Sequence, residues 1–173
     1  MSVQVLLSVL LAYPVWSGDV GMTAEARSAM LEPVAAAIMG ASSSRFEAAV
    51  LTATAWHECG LASYVLDDRC EDGPEGARCD NGRARGPWQV HERPCPALHA
   101  LPLRAPERFE VGARCALRVW RGARYRCRGK HPAGDIAGAF SGYRGSPCAD
   151  EVGAIRARSA WAALARIRRA EAQ

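Results

Sequence analysis

Seven cysteines, at positions 59, 70, 79, 95, 115, 127 and 148, constrain this chain more than any other feature. Cysteine metal sites use C-x2–4-C knuckles, and the closest two cysteines here are nine residues apart. Disulfides are the expected use, and with them an oxidising compartment. Cys70 and Cys79 bracket a Gly/Pro-rich stretch that can hardly reach elsewhere without losing its turn. Cys95 lies between two prolines, ahead of a helical stretch that carries Cys115. Cys127 and Cys148 flank the stretch leading into Tyr143. The expected bridges are therefore Cys70–Cys79, Cys95–Cys115 and Cys127–Cys148, each contributing about 2–4 kcal/mol if unstrained. One cysteine, Cys59, is left over.

The 173 residues suit one domain with a sizeable core. A composition 49% hydrophobic and 23% charged excludes a disordered, collagen-like or coiled-coil chain. No run of 18 apolar residues is present, so no membrane span is expected. Residues 1–91 carry 6 basic and 11 acidic groups (net −5), and residues 92–173 carry 16 and 7 (net +9). A cationic second half favours anionic partners such as a polyanionic envelope. Nucleic acid is not expected, since no zinc-finger spacing, basic zipper or RNP-type motif organises the charge. Segment 1–22 stays open between two readings. Residues 3–15 are apolar enough for a signal h-region, but no Lys or Arg precedes them and no A-x-A site follows. As a first helix, the segment would put Val5, Leu6, Val9 and Leu10 on a core face and close at Pro14.

Elsewhere the pattern is helical. Thr23 reads as the N-cap of a helix to Gly40, with Glu25 in its first turn, and Pro33 is expected to kink or divide it. Ser44-Arg45-Phe46-Glu47 is a capping box that opens a helix through Ala49, Val50, Ala53 and Trp56, stopped by Gly60. Residues 67–87, rich in Asp, Gly, Pro and Arg, read as a surface loop. Further helices are expected at about 106–121, 135–142 and 150–170. The last carries a stripe of Val152, Ile155, Ala163 and Ile167, bordered by Arg156 and Arg166. The expected fold is mostly α, with at most a small hairpin within residues 64–90.

Three segments carry possible chemistry. Glu58 ends the capped helix in Ala55-Trp56-His57-Glu58-Cys59-Gly60. Apolar neighbours and the negative end of the helix dipole both disfavour its ionisation. A glutamate raised from about 4.3 towards roughly 6 is what protonating a leaving glycosidic oxygen near neutrality requires. Trp88-Gln89, after the turn that begins at Gly82, offers an apolar face for a sugar ring and an amide for hydroxyl or acetamido groups. Small residues around Tyr143 let backbone approach closely, so its phenol can reach a buried partner. Taken singly, each has an ordinary structural explanation: a solvated Glu, a core Trp with a surface Gln, a packed turn Tyr.

Together the segments form a recognisable order. Glu58-Cys59-Gly60, then Gly82-x-x-x-Gly86-x-x-Gln89, then Ser141-Gly142-Tyr143-Arg144-Gly145-Ser146-Pro147 resemble the lytic transglycosylase and goose-type lysozyme branch of the lysozyme-like superfamily. The resemblance spans roughly residues 44–165. Departures from the family pattern are Cys59 for Ser, Trp88 for Met and Arg144 for Asn, and the 31 residues from Glu58 to Gln89 exceed the usual gap by about the disulfide loop. The resemblance implies a lysozyme-like α+β fold for residues 23–173 and a glycosidase acting on the MurNAc–GlcNAc β-1,4 bond of peptidoglycan. Glu58 would be the lone acid/base, with Gln89 and Tyr143 lining the cleft and Trp88 beside them. The disulfides imply export, periplasmic or extracellular, and the chain is expected to be a monomer without cofactor or metal. Cys59, at the family's small-residue position, would pack as a small buried hydrophobe.

Rival readings are weaker. A zinc peptidase needs His-Glu-x-x-His, and His57-Glu58 is followed by Cys59-Gly60-Leu61. A cysteine peptidase would need a His for Cys59, but His57 is two positions away on a helix and faces elsewhere, leaving only His91 nearby. The alternative function is a non-catalytic lysozyme-like module that binds glycan or serves structurally in a cell envelope or phage particle. A two-carboxylate lysozyme would take its second acid from Asp67, Asp68 or Asp80, with carboxyls about 5 Å or about 6.5–9.5 Å apart.

Overall fold

Helices dominate the computed structural model, which describes residues 1–70 and 79–173. In chain order the elements are α1 (Val3–Leu11), a 3-10 turn (Ser17–Asp19), α2 (Ala24–Ala41), α3 (Arg45–Cys59), α4 (Ser63–Leu66) and α5 (Cys79–Gly82). A two-stranded antiparallel sheet follows, β1 (Ala84–Arg85) and β2 (Val90–His91), with Ala84 opposite His91. Then come α6 (Pro96–His99), α7 (Arg108–Arg126), α8 (Asp135–Tyr143) and α9 (Glu151–Glu171). The fold is mostly α with a small hairpin. The acidic, Gly/Pro-rich stretch 71–78, read as part of a surface loop, lies outside the described residues.

The core is built around α3. Every residue from Ala48 to Ala55 is buried, the mark of a helix enclosed on all sides. Helices α2, α7 and α9 pack on it. Its buried Thr52 and Thr54 hydroxyls donate to the Ala48 and Val50 carbonyls at 2.8 Å, so burying them leaves no polar group unpaired. The capping box begins the helix with one change. Ser44 Oγ accepts from Glu47 N, but the Glu47 carboxylate reaches back one residue further, to Ser43 N at 2.9 Å. Gly60 ends it in the left-handed conformation, φ 61°.

Around this axis the chain closes into one core. Leu6, Val9 and Leu10 of α1 are buried against α2 and α9, and Arg27 of α2 donates to the Leu11 and Tyr13 carbonyls. No helix among the described residues is long and apolar enough to cross a membrane. Thr23 caps α2 as expected, but Pro33 does not divide it. Pro33 is exposed, so the carbonyl freed by its missing N–H lies towards water, while Leu31, Val34 and Ile38 hold both halves on the core.

The stripe on α9 also differs from expectation. Ile155 is 42% exposed and Arg156 is buried, because the helix turns Gly153, Arg156, Ala157 and Ala160 inward. Only glycine fits at that crossing. A Cβ on Gly153 would overlap Ser141 Oγ and the Ala137 carbonyl of α8. Disulfides join Cys70 to Cys79, Cys95 to Cys115 and Cys127 to Cys148, the pairs expected from their spacing, and Cys59 is buried and unbridged.

Candidate active site

Three segments distant in sequence meet at the C-terminal end of α3. Glu58, Gln89 and Tyr143 line one cleft of about 500 Å³, together with Trp16, Tyr64 and Asp80. The tight crossing of α8 on α9 brings Tyr143 and Arg156 to the same place.

Glu58 does not stand among apolar groups alone. Its Oε1 accepts a hydrogen bond from the Arg156 guanidinium, and the side chains are 18% and 7% exposed respectively. In the sequence alone, Arg156 is a charge bordering the α9 stripe. Its partner lies 98 residues away, so only a charged residue set among inward-facing small ones hinted at it.

Tyr143 donates its hydroxyl to the Trp88 carbonyl at 2.7 Å. Burial pushes the phenol well above its ordinary value, with the Glu58 charge adding and Arg156 opposing. It is a protonated donor already in use. Gln89 sits at φ 46°, and its Nε2 donates to the Gly86 carbonyl at 3.0 Å. Its amide oxygen has no partner among the described residues.

Trp88 is corrected. It is 0% exposed, its indole N–H donates to the Leu51 carbonyl at 3.0 Å, and its ring packs on Gly112 of α7. It cannot offer a face to a sugar. Instead it ties α3 to the hairpin and, through its carbonyl, to α8. The aromatic residues at the cleft are others: the Trp16 and Tyr64 rings lie 5.1 Å apart. No sequence signal marked Trp16, which falls in the segment read as a helix or a signal.

No protein-family model matches the chain, and no curated protein or solved structure is significantly similar to it.

His57 and Cys59 flank Glu58 but do not act together. His57 Nε2 shares a hydrogen bond with Ser159 Oγ at 2.8 Å, and burial, then the Arg156 charge, push it down to about 4. Burial pushes the Cys59 thiol up to about 12, and its S–H donates to the Ala55 carbonyl. A thiol so held is no nucleophile at neutral pH. Of the acids considered as a second carboxylate, Asp80 lines the cleft, within 3.6 Å of His91 Nε2. Asp68 is buried and occupied by the Arg104 backbone N–H, Arg85 and Arg108, while Asp67 pairs with Arg69.

Proposed function

We propose that the protein is an exported, lysozyme-like glycosidase that cleaves the MurNAc–GlcNAc β-1,4 bond of peptidoglycan, with Glu58 as acid and then base. The observation that carries this reading is the convergence of Glu58, Gln89 and Tyr143 on one cleft. Their motifs occur in the order that resembles the lytic transglycosylase branch. The cleft volume suits a ligand of one or a few sugar rings, and three disulfides suit an oxidising, exported setting.

In the first step the Glu58 carboxyl gives its proton to the glycosidic oxygen as the bond from that oxygen to C1 breaks. The substrate's own acetamido group stabilises C1. Glu58, now a carboxylate, then takes a proton from water, which adds to C1, or from the 6-hydroxyl of the same sugar, which closes a 1,6-anhydro ring. The two products differ by one water, so mass spectrometry of digested cell wall identifies the reaction. Glu58→Gln is expected to lose at least about a hundredfold in rate; near-full activity overturns the role of Glu58.

The Arg156–Glu58 ion pair favours a second reading. A carboxylate held by a fixed, buried guanidinium suits a module that binds glycan without cleaving it. Under that reading the wild type releases no product from walls, and Glu58→Gln keeps its affinity.

A further inference from the structure

We infer that Trp16 is the face on which the cleft receives a pyranose ring, and that the segment after α1 is built to hold it there; this rests on the glycan reading above. Trp16 is half-buried and lines the cleft beside Glu58. Of the other aromatic residues there, Tyr64 is 7% exposed and Tyr143 has its hydroxyl committed to Trp88. Tyr143 is half-buried like Trp16, but the indole of Trp16 offers the larger apolar face to a ligand.

Three independent features fix its pose. The indole lies across Gly18, where any Cβ would fall within the ring. Its ring meets that of Tyr64 at 58°. The buried carboxylate of Asp19 accepts from Ser63 N at 2.9 Å and from Ser63 Oγ at 2.6 Å, which clamps the 3-10 turn to the start of α4. An incidental surface tryptophan needs no such support. An indole held this way presents a rigid apolar face, and the matching ligand surface is the C–H face of a pyranose. The Gln89 amide oxygen in the same cleft, without a partner among the described residues, can accept from an acetamido N–H, which points to an N-acetylhexosamine. Residues 12–22 then belong to the binding site, and the protein that binds glycan retains them.

The test is binding of chitotetraose, a soluble N-acetylglucosamine tetramer, to the full chain by calorimetry. Trp16→Ala is expected to weaken binding about three- to tenfold, the scale of one aromatic contact. Trp16→Phe should weaken it less. Gly18→Ala should weaken it while keeping the indole, because the new methyl displaces the ring. Trp161→Ala, at an exposed tryptophan on α9, should leave it unchanged. Unchanged affinity in Trp16→Ala, or equal loss in Trp161→Ala, overturns the assignment of Trp16. The glycan reading itself is judged separately, by wall digestion with wild type and Glu58→Gln. If the wild type does not bind the tetramer the Trp16 proposal falls, and the glycan reading falls with it only if walls also stay intact.

Discussion

Glu58 and Arg156 do not depend on each other equally. Water reaches the carboxylate, at 18% exposure, far more readily than the guanidinium, at 7%. Removing the carboxylate leaves a buried, uncompensated cation, a loss of about 3–5 kcal/mol in comparable pairs. Activity of Glu58→Gln therefore has to be compared at a temperature where both proteins are folded. His57, one residue before, gives a pH signature of the same site. In the folded protein it is pushed down to about 4 from an ordinary value of 6.5. Between those values the unfolded chain binds a proton that the folded one does not, so stability rises with pH across this window. The contribution is complete above about 6.5 and is lost as pH falls towards about 4. Urea midpoints measured from pH 4 to 8 should show that slope, and His57→Gln should flatten it. A variant with an unchanged slope would assign the pH dependence to other groups.

At the level of elements, what could be read in advance was what is local. Thr23, Ser44 and Gly60 mark helix ends through bonds to residues three or four positions away, and all three act there. Helices α4, α5 and α6 span four residues each, too few for a hydrophobic period to show. The sequence does not place Trp88, because an indole serves equally in a core or at a sugar site, and only tertiary packing decides. The rotation of α9 is hidden for the same reason, since Arg156 is buried by a partner on α3 that no periodicity reveals. That rotation makes a testable contrast between two helical glycines. Gly153→Ala is expected to destabilise by about 1–3 kcal/mol or more through overpacking against α8. Gly40→Ala, on the exposed side of α2 with open space around it, should instead stabilise by about 0.4–1 kcal/mol. Thermal melts of the two variants should move in opposite directions, and a Gly153→Ala melt at the wild-type temperature would refute the tight crossing.

Across the whole molecule, covalent bridges and burial together give a thiol count. With Cys59 buried and its thiol pushed up to about 12, the native protein should react with no thiol reagent at pH 8. After unfolding without reductant it should show one thiol. Two or more would mean that a bridge of the structure does not form. The three bridges lie along one side of the chain order, all after residue 69, and none touches α1, α2 or α3. Residues 1–69 are held without a bridge, by packing, hydrogen bonds and ion pairs, and their centre is α3, whose residues from Ala48 to Ala55 are all hidden. The amides of the enclosed stretch 48–55 are expected to exchange only on global unfolding, which hydrogen exchange would show. The residue at the end of this helix is therefore seated on the least negotiable part of the protein, and the walls facing it are tied down as well, the Trp16 turn to α4 through Asp19 and Ser63 and the Gln89 hairpin to α3 and α8 through Trp88. A mutation deep in the core would thin the population of folded molecules and leave the geometry of those that remain as it was.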